Sequence, residues 1–252
     1  VQELKSKADL ELMREAGRIV AITLDALEQA AQPGVTLNEL DRIASDHIKK
    51  HKAVSSFFNY RVDKYIYPKV LCTSVNDVVV HGIPDGRKLV EGDIVGLDFG
   101  VSFRGFHGDA ARTVAVGQIA PDRQRIIDVT RRALELAVDA AIPNNRVMDI
   151  GRAVQTYVEA QGYSVVRDFV GHGIGRRMHE SPQVPNYVDK QATGRLKTGM
   201  CLALEPMVNA GTYETERLPD GWTVVTRDRK ISAHFEHTVS ITDNGPVILT
   251  LP

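Results

Sequence analysis

Five side chains in this sequence have the types needed to hold cations: Asp98, Asp109, His172, Glu205 and Glu236. Each lies in a stretch that reads as a strand or a Gly-rich turn, in apolar or β-branched company. Four ionised carboxylates converging inside a folded chain repel one another, and an uncompensated buried charge costs several kcal/mol. Two divalent ions would balance the four acids; a single ion would leave the cluster negative. Carboxylate oxygens with one imidazole form a hard O/N donor set suited to Mn, Fe(II), Co or Zn. Paired ions lower the pKa of a shared water and polarise a carbonyl, which is the chemistry of a metal-dependent hydrolase. Taken singly, each residue has an ordinary reading as a solvated aspartate, a loop histidine or a strand-edge glutamate. One metal site accounts for all five together.

The strands that must carry these residues are visible in the sequence. Residues 94–103 and 106–116 read as a hairpin about the turn Arg104-Gly105. With its centre placed between Phe103 and Arg104, Asp98 and Asp109 are expected directly opposite each other. They would then share a face at about 5 Å between Cβ atoms. A strand over 200–205 ends in Glu205-Pro206, and another over 233–242 carries Glu236.

Four amphipathic helices frame the strands. Leu12, Ile19, Ile22, Ala26 and Ala30 mark the first, which Pro33-Gly34 ends. Thr36 and Glu39 open the second in capping-box spacing. The third follows Pro121-Asp122 and stops before Pro143, and the fourth runs from Val147 to near Gly162. Ala31, Pro33, Leu37 and Leu40 recur as Ala141, Pro143, Val147 and Ile150, at a constant offset of about 110 residues. A single domain over 1–252 is expected, with two similar halves of about 1–120 and 121–252.

Bulk properties narrow the function. The 252 residues suffice for a sizeable core, and the formal net charge of −1 argues against a nucleic-acid surface. The two cysteines, Cys72 and Cys201, form no zinc-finger spacing and suit a reducing compartment. No apolar run approaches the roughly 18 residues of a membrane span, and residues 1–12 are charged rather than signal-like. A soluble cytoplasmic protein, with no membrane association, is the expectation.

Longer motifs make a family resemblance specific. They are Ser74-Val75-Asn76-Asp77, His81-Gly82-Ile83-Pro84, Gly105-Phe106-His107-Gly108-Asp109 and Gly171-His172-Gly173-Ile174-Gly175. His179-Glu180, Glu205-Pro206-Met207-Val208-Asn209-Ala210-Gly211, Asp220-Gly221-Trp222-Thr223 and Phe235-Glu236-His237-Thr238 extend the series. From about residue 5 to 250, the chain resembles the short bacterial form of type I methionine aminopeptidases, in peptidase family M24.

The resemblance implies an α+β pita-bread fold (creatinase/aminopeptidase), with two pseudo-symmetric halves around a dinuclear metal site. It implies two divalent ions of undetermined identity. Asp98 would hold one, His172 and Glu205 the other, and Asp109 and Glu236 would bridge them. A metal-bridged hydroxide would attack the carbonyl after an N-terminal methionine when the second residue is small. Glu205 is the candidate for proton transfer, and His179 and His81 are candidates for contacting the scissile group. Tyr67, Cys72, Met178 and Trp222 match positions of the methionine pocket. The expected partners are methionyl peptides and nascent chains, with possible ribosome proximity, and the expected state is a monomer.

Two departures stand out: Met178 where an aromatic is usual, and a longer, glycine-free segment over 57–66. His107 and His237 are expected on the strand face away from the site, and His234 is given no role. Prolidase-like enzymes share the ligand set but usually carry an N-terminal domain. The second type of methionine aminopeptidase carries an insertion for which 179–205 is too short, and a zinc-binding extension before the ligands is not expected. A non-catalytic binding member of the fold would be expected to lose ligands, and all five are here.

Overall fold

A computed structural model describes residues 3–252; the first two residues of the expected domain lie outside the described range. Two helical hairpins cover one face of a curled nine-stranded sheet. Helix α1 (Lys7–Ala30) opens on a Ser6/Asp9 capping box. Helix α2 (Leu37–His51) opens on the reciprocal Thr36/Glu39 box anticipated from sequence. Helix α3 (Pro121–Ala140) starts with proline in its first turn, where the missing N–H is harmless. Helix α4 is Val147–Ala160. In both pairs the first helix ends, and the second begins, at positions 110 residues apart.

The sheet comprises β1 (Val54–Ser55), β2 (Cys72–Val75), β3 (Ile94–Phe103), β4 (Phe106–Ala115), β5 (Gly171–Gly173), β6 (Glu180–Val184), β7 (Cys201–Leu204), β8 (Glu236–Thr242) and β9 (Gly245–Ile248). Their order is β1-β3-β4-β8-β7-β5-β6, with β2 also paired to β3 and β9 to β8. Every pairing is antiparallel.

Alternation along these strands separates two chemistries. Val95, Leu97, Phe99 and Val101 of β3, with Ala110 and Val114 of β4, pack against Val20, Leu24 and Leu40 of the first helical pair. Leu202 and Leu204 of β7 and Val239 and Ile241 of β8 pack against Ile127, Ala137 and Val154 of the second. Residues of opposite parity face away from the helices. At about 25 cal/mol per Å2, the apolar face drives assembly and leaves the other face free to carry charge.

The strand expected over 233–242 is two strands. Ser232–His234 pairs with Met207–Asn209 in a separate three-stranded sheet, and β8 begins at Glu236. Pro206 explains the break, because it has no N–H to continue the ladder between β7 and β8. Its carbonyl accepts from Phe235 N where both chains change sheets. Glu205 and Glu236 thus sit together at a corner.

Candidate active site

Strand register alone brings the five donors to one face. Asp98 pairs with Ala111 across β3–β4, and Ala111 pairs with Glu236 across β4–β8. One step beyond the Leu204–His237 pair, Glu205 falls level with Glu236. Ala203, on the same face as Glu205, pairs with His172. Asp109 lies two residues before Ala111 and shares its face. This is the face opposite the helices.

Asp98 and Asp109 are not directly opposed, as the sequence reading had them. Phe103 pairs with Phe106, so Gly100 lies opposite Asp109. The cause is the turn: Arg104 and Gly105 both have positive φ, 48° and 84°, as a two-residue type I′ hairpin requires. The hairpin centre therefore falls between Arg104 and Gly105, and the two acids form a diagonal pair on the shared face. Thr238 Oγ1 accepts from Asp109 N at 3.0 Å and lies 2.8 Å from Asp109 O, tying β8 to β4 there.

Asp109 and Glu236 are buried, Asp98 and Glu205 half-buried, and several of their oxygens have no partner. Asp98 Oδ1, Asp109 Oδ1 and Glu236 Oε1 are shielded from solvent and lack any hydrogen bond. Burial, and then the charge of neighbouring acids, pushes Asp98, Glu205 and Glu236 well above the ordinary carboxylate range. Burial raises Asp109 to about 7. Unsatisfied acidic oxygens of this kind fit a cation. Donor atoms of Asp109, His172 and Glu236 lie within 4.8 Å of one another, close enough to surround a single ion. Glu205 Oε1 lies 3.5 Å from His172 Nε2, while Asp98 stands outside that tightest trio. His172 Nδ1 is 2.8 Å from the carbonyl of Gly173, so Nδ1–H donates there and Nε2 keeps its lone pair for a metal. Burial lowers His172 to about 3, so the ring is neutral at pH 7, as a ligand must be.

These groups form the floor of a cavity of about 260 Å3 that His81, His179, Tyr67, Cys72, Met178 and Trp222 also line. Cys72 pairs with Asp98, which places its thiol beside the acids. Tyr67 packs edge-on against Trp222 at 5.2 Å, with its hydroxyl 3.0 Å from the carbonyls of Leu71 and Gly82. Met178 is buried and contributes to the apolar wall with Phe57, Tyr67 and Trp222. His81 has φ 60°, an uncommon conformation for a non-glycine residue, and stands edge-on to Phe169 and Trp222. Burial lowers it to about 4. Behind His179, Glu180 makes a 2.6 Å ion pair with buried Lys5, anchoring this loop to the N-terminal segment.

Phe57, Val62, Phe169 and Arg217 also line the cavity and were not anticipated from sequence, and Tyr60 of the 57–66 segment joins them. Phe169 precedes the Gly171-His172 motif, a position that could have signalled it; Arg217 carried no signal. His107 requires a correction. It lies two residues before Asp109 and so shares its face, where Nδ1 meets Ser56 Oγ at 2.8 Å. His237 does face away, towards Thr250 Oγ1 at 2.8 Å. His234 is buried, its Nε2 unpaired and 3.9 Å from Glu205 Oε2.

Comparison with known proteins gives a consistent result. Residues 11–243 match the model of metallopeptidase family M24. A methionine aminopeptidase of Clostridium perfringens is 50% identical over 248 residues, covering 98% of each chain. The crystal structure of methionine aminopeptidase from Rickettsia prowazekii superimposes with a TM-score of 0.96 at 42% identity, covering 100% of both chains. An Xaa-Pro dipeptidase from Bacillus anthracis, 21% identical with a TM-score of 0.78, covers 98% of this chain and is itself covered to 61%; that likeness is one of fold.

Proposed function

The chain belongs to metallopeptidase family M24, and from that premise we propose that it removes the N-terminal methionine of peptides and nascent proteins whose second residue is small. The observation that carries this reading is one cavity with two unlike parts. Its floor is acidic, and its wall is apolar and contains Tyr67, Cys72, Met178 and Trp222. About 260 Å3 is below the usual 300–1,000 Å3 of small-molecule sites and suits a single side chain. An apolar, sulfur-tolerant wall suits methionine in particular. The nine-stranded sheet supplies the floor and Cys72, and the segments around its mouth supply Tyr67, Met178 and Trp222.

We assign Asp98, Asp109, His172, Glu205 and Glu236 to holding two divalent cations. When bound, those ions supply Lewis acidity, polarising a carbonyl and activating a water near neutral pH. Glu205 would carry a proton between that water and the leaving amine. His179 and His81 are neutral donors at the cavity wall, and their N–H groups would stabilise charge developing on the scissile carbonyl oxygen. We take residues 1–252 as one catalytic domain, because both helical pairs pack on the sheet that carries the ligands. No helix among the described residues is long and apolar enough to cross a membrane. We further propose that it acts on nascent chains in the cytoplasm, near the ribosome and as a monomer.

The test is a pair of peptides. Met-Ala-Ser is expected to lose its methionine at least about tenfold faster than Met-Leu-Ser in the metal-loaded enzyme, because a tight site excludes bulk after the scissile bond. Equal rates would overturn the specificity, and no cleavage of either would overturn the activity.

A further inference from the structure

The segment over 57–66, long and without glycine, folds into a small hairpin at the cavity mouth. Arg61 pairs with Ile66 and Val62 with Tyr65. Its foot is fixed by backbone hydrogen bonds: Tyr60 N donates to Phe57 O at 2.8 Å, Tyr67 N to Tyr60 O at 2.9 Å, and Asn59 N to Tyr67 O at 2.9 Å. Phe58 is exposed and takes no part in the wall.

Two tyrosines tie this hairpin to opposite sides of the cavity. The Tyr65 ring packs directly against Gly221: a Cβ there would stand 2.2 Å from Tyr65 Cδ1, and Gly221 has φ 80°. That turn carries Trp222 and is held by Asp220 Oδ1, which accepts from Trp222 N and Thr223 N at 2.8 Å each. On the other side, the Tyr60 hydroxyl lies 2.7 Å from His179 Nδ1. The two rings meet edge-on, with centroids 5.3 Å apart and planes at 63°.

His179 needs such a partner. It is solvent-exposed on the loop before β6, and among the described residues Tyr60 is the only hydrogen-bond partner of its imidazole. A neutral imidazole carries one proton, on either nitrogen, and the bond made by one nitrogen decides the role of the other. A phenol O–H donating to Nδ1 leaves the proton on Nε2. Nε2–H is then a donor available to the cavity, which an oxygen gaining negative charge requires.

We propose that Tyr60 is a positioning residue, which fixes the tautomer and ring orientation of His179, and that the 61–66 hairpin braces Tyr60 against the Trp222 turn. The proposal rests on the role given to His179 under the proposed function. It makes the rim segment part of the active-site scaffold.

Tyr60→Phe tests it, since the substitution keeps the ring and its packing and removes only the hydroxyl. Two readouts apply. In the metal-loaded enzyme acting on Met-Ala-Ser, kcat should fall about tenfold while KM stays within about twofold, the pattern of a contact that matters in the transition state. In zinc-loaded protein labelled with 15N histidine, the His179 Nδ1 resonance should be that of a bare acceptor nitrogen. In the variant it should move towards the average of the two tautomers. A kcat within twofold of the parent overturns the proposal, as does an unmoved His179 spectrum. A parent enzyme that cuts no methionyl peptide defeats the proposed function instead, and the spectrum still decides whether Tyr60 sets the tautomer.

Discussion

Asp98, Ala111 and Glu236 lie in one row across three long strands, whereas Tyr60 hangs at the foot of a hairpin with two residue pairs and an exposed tip. Floor and rim border the same cavity but are held by different forces. The floor is fixed by sheet register and by the apolar burial of the opposite face of the same strands. No single side-chain contact is needed to place it. The rim is fixed by a few named contacts, Tyr60 to His179, Tyr65 to Gly221 and Lys5 to Glu180. Chemistry that requires charge to converge is built into the sheet. Positioning is left to short segments that can change without disturbing it.

The sharpest way to break this comparison is at the floor. Asp109→Ala removes an acid whose neighbours stay in place through the sheet, and activity on Met-Ala-Ser should fall by more than about 100-fold. Even partners behind a metal ligand typically cost 10–100-fold when removed. Peptide assay with metal in excess measures it, and activity within tenfold of the parent would show that the floor does not carry the reaction. At intermediate size, Lys5→Met leaves Glu180 buried without its cation. Breaking a buried pair by removing one partner costs about 3–5 kcal/mol. Urea unfolding should show a loss of that order, and a change below about 1 kcal/mol would mean that the N-terminal segment does not anchor the His179 loop. Cys72→Ala should matter least. It trims one wall atom beside Asp98, and a change in kcat/KM below about tenfold is expected. A loss as large as that of Asp109→Ala would erase the distinction between wall and floor.

The floor was legible in the sequence because its signal is residue type. Four acids and a histidine in strand-like surroundings admit few explanations other than cations. The helices were legible for the same reason, with Thr36 and Glu39 marking one beginning and Pro121 another. Register was harder. The strand 94–103 and the start of its partner agree with the structure, yet the hairpin centre lies one residue later than expected: a two-residue turn at Arg104-Gly105 sets it between those residues, in keeping with the positive φ of both. His107 is a different case: the two-residue period of a strand already places it on the face of Asp109, and no register is needed to see it. The break at Phe235 was hidden because the proline that causes it lies on the neighbouring strand. The rim was opaque. Phe58, Tyr60 and Tyr65 are alike by composition. The structure points the first to solvent, the second to His179 and the third to Gly221.

The central claim is that cations neutralise the acidic floor, and thermal unfolding of stripped and metal-loaded protein across pH tests it most directly. Burial raises Asp109 from its ordinary 3.8 to about 7, and Asp98, Glu205 and Glu236 move the same way. Without metal, the folded chain therefore holds protons that the unfolded chain has released, and stability present at low pH is lost as pH rises through the folded values. The buried imidazoles His172 and His81 are lowered from 6.5 and act in the opposite sense, but only below about 6.5. From there to about pH 8 the acids act alone; at higher pH the buried thiols of Cys72 and Cys201, also raised by burial, add to the loss. The stripped protein should lose Tm steadily from about pH 6.5 to about 8, and saturating Zn2+ or Mn2+ should abolish the loss over that range. Parallel curves for the stripped and loaded forms across that range would contradict the account.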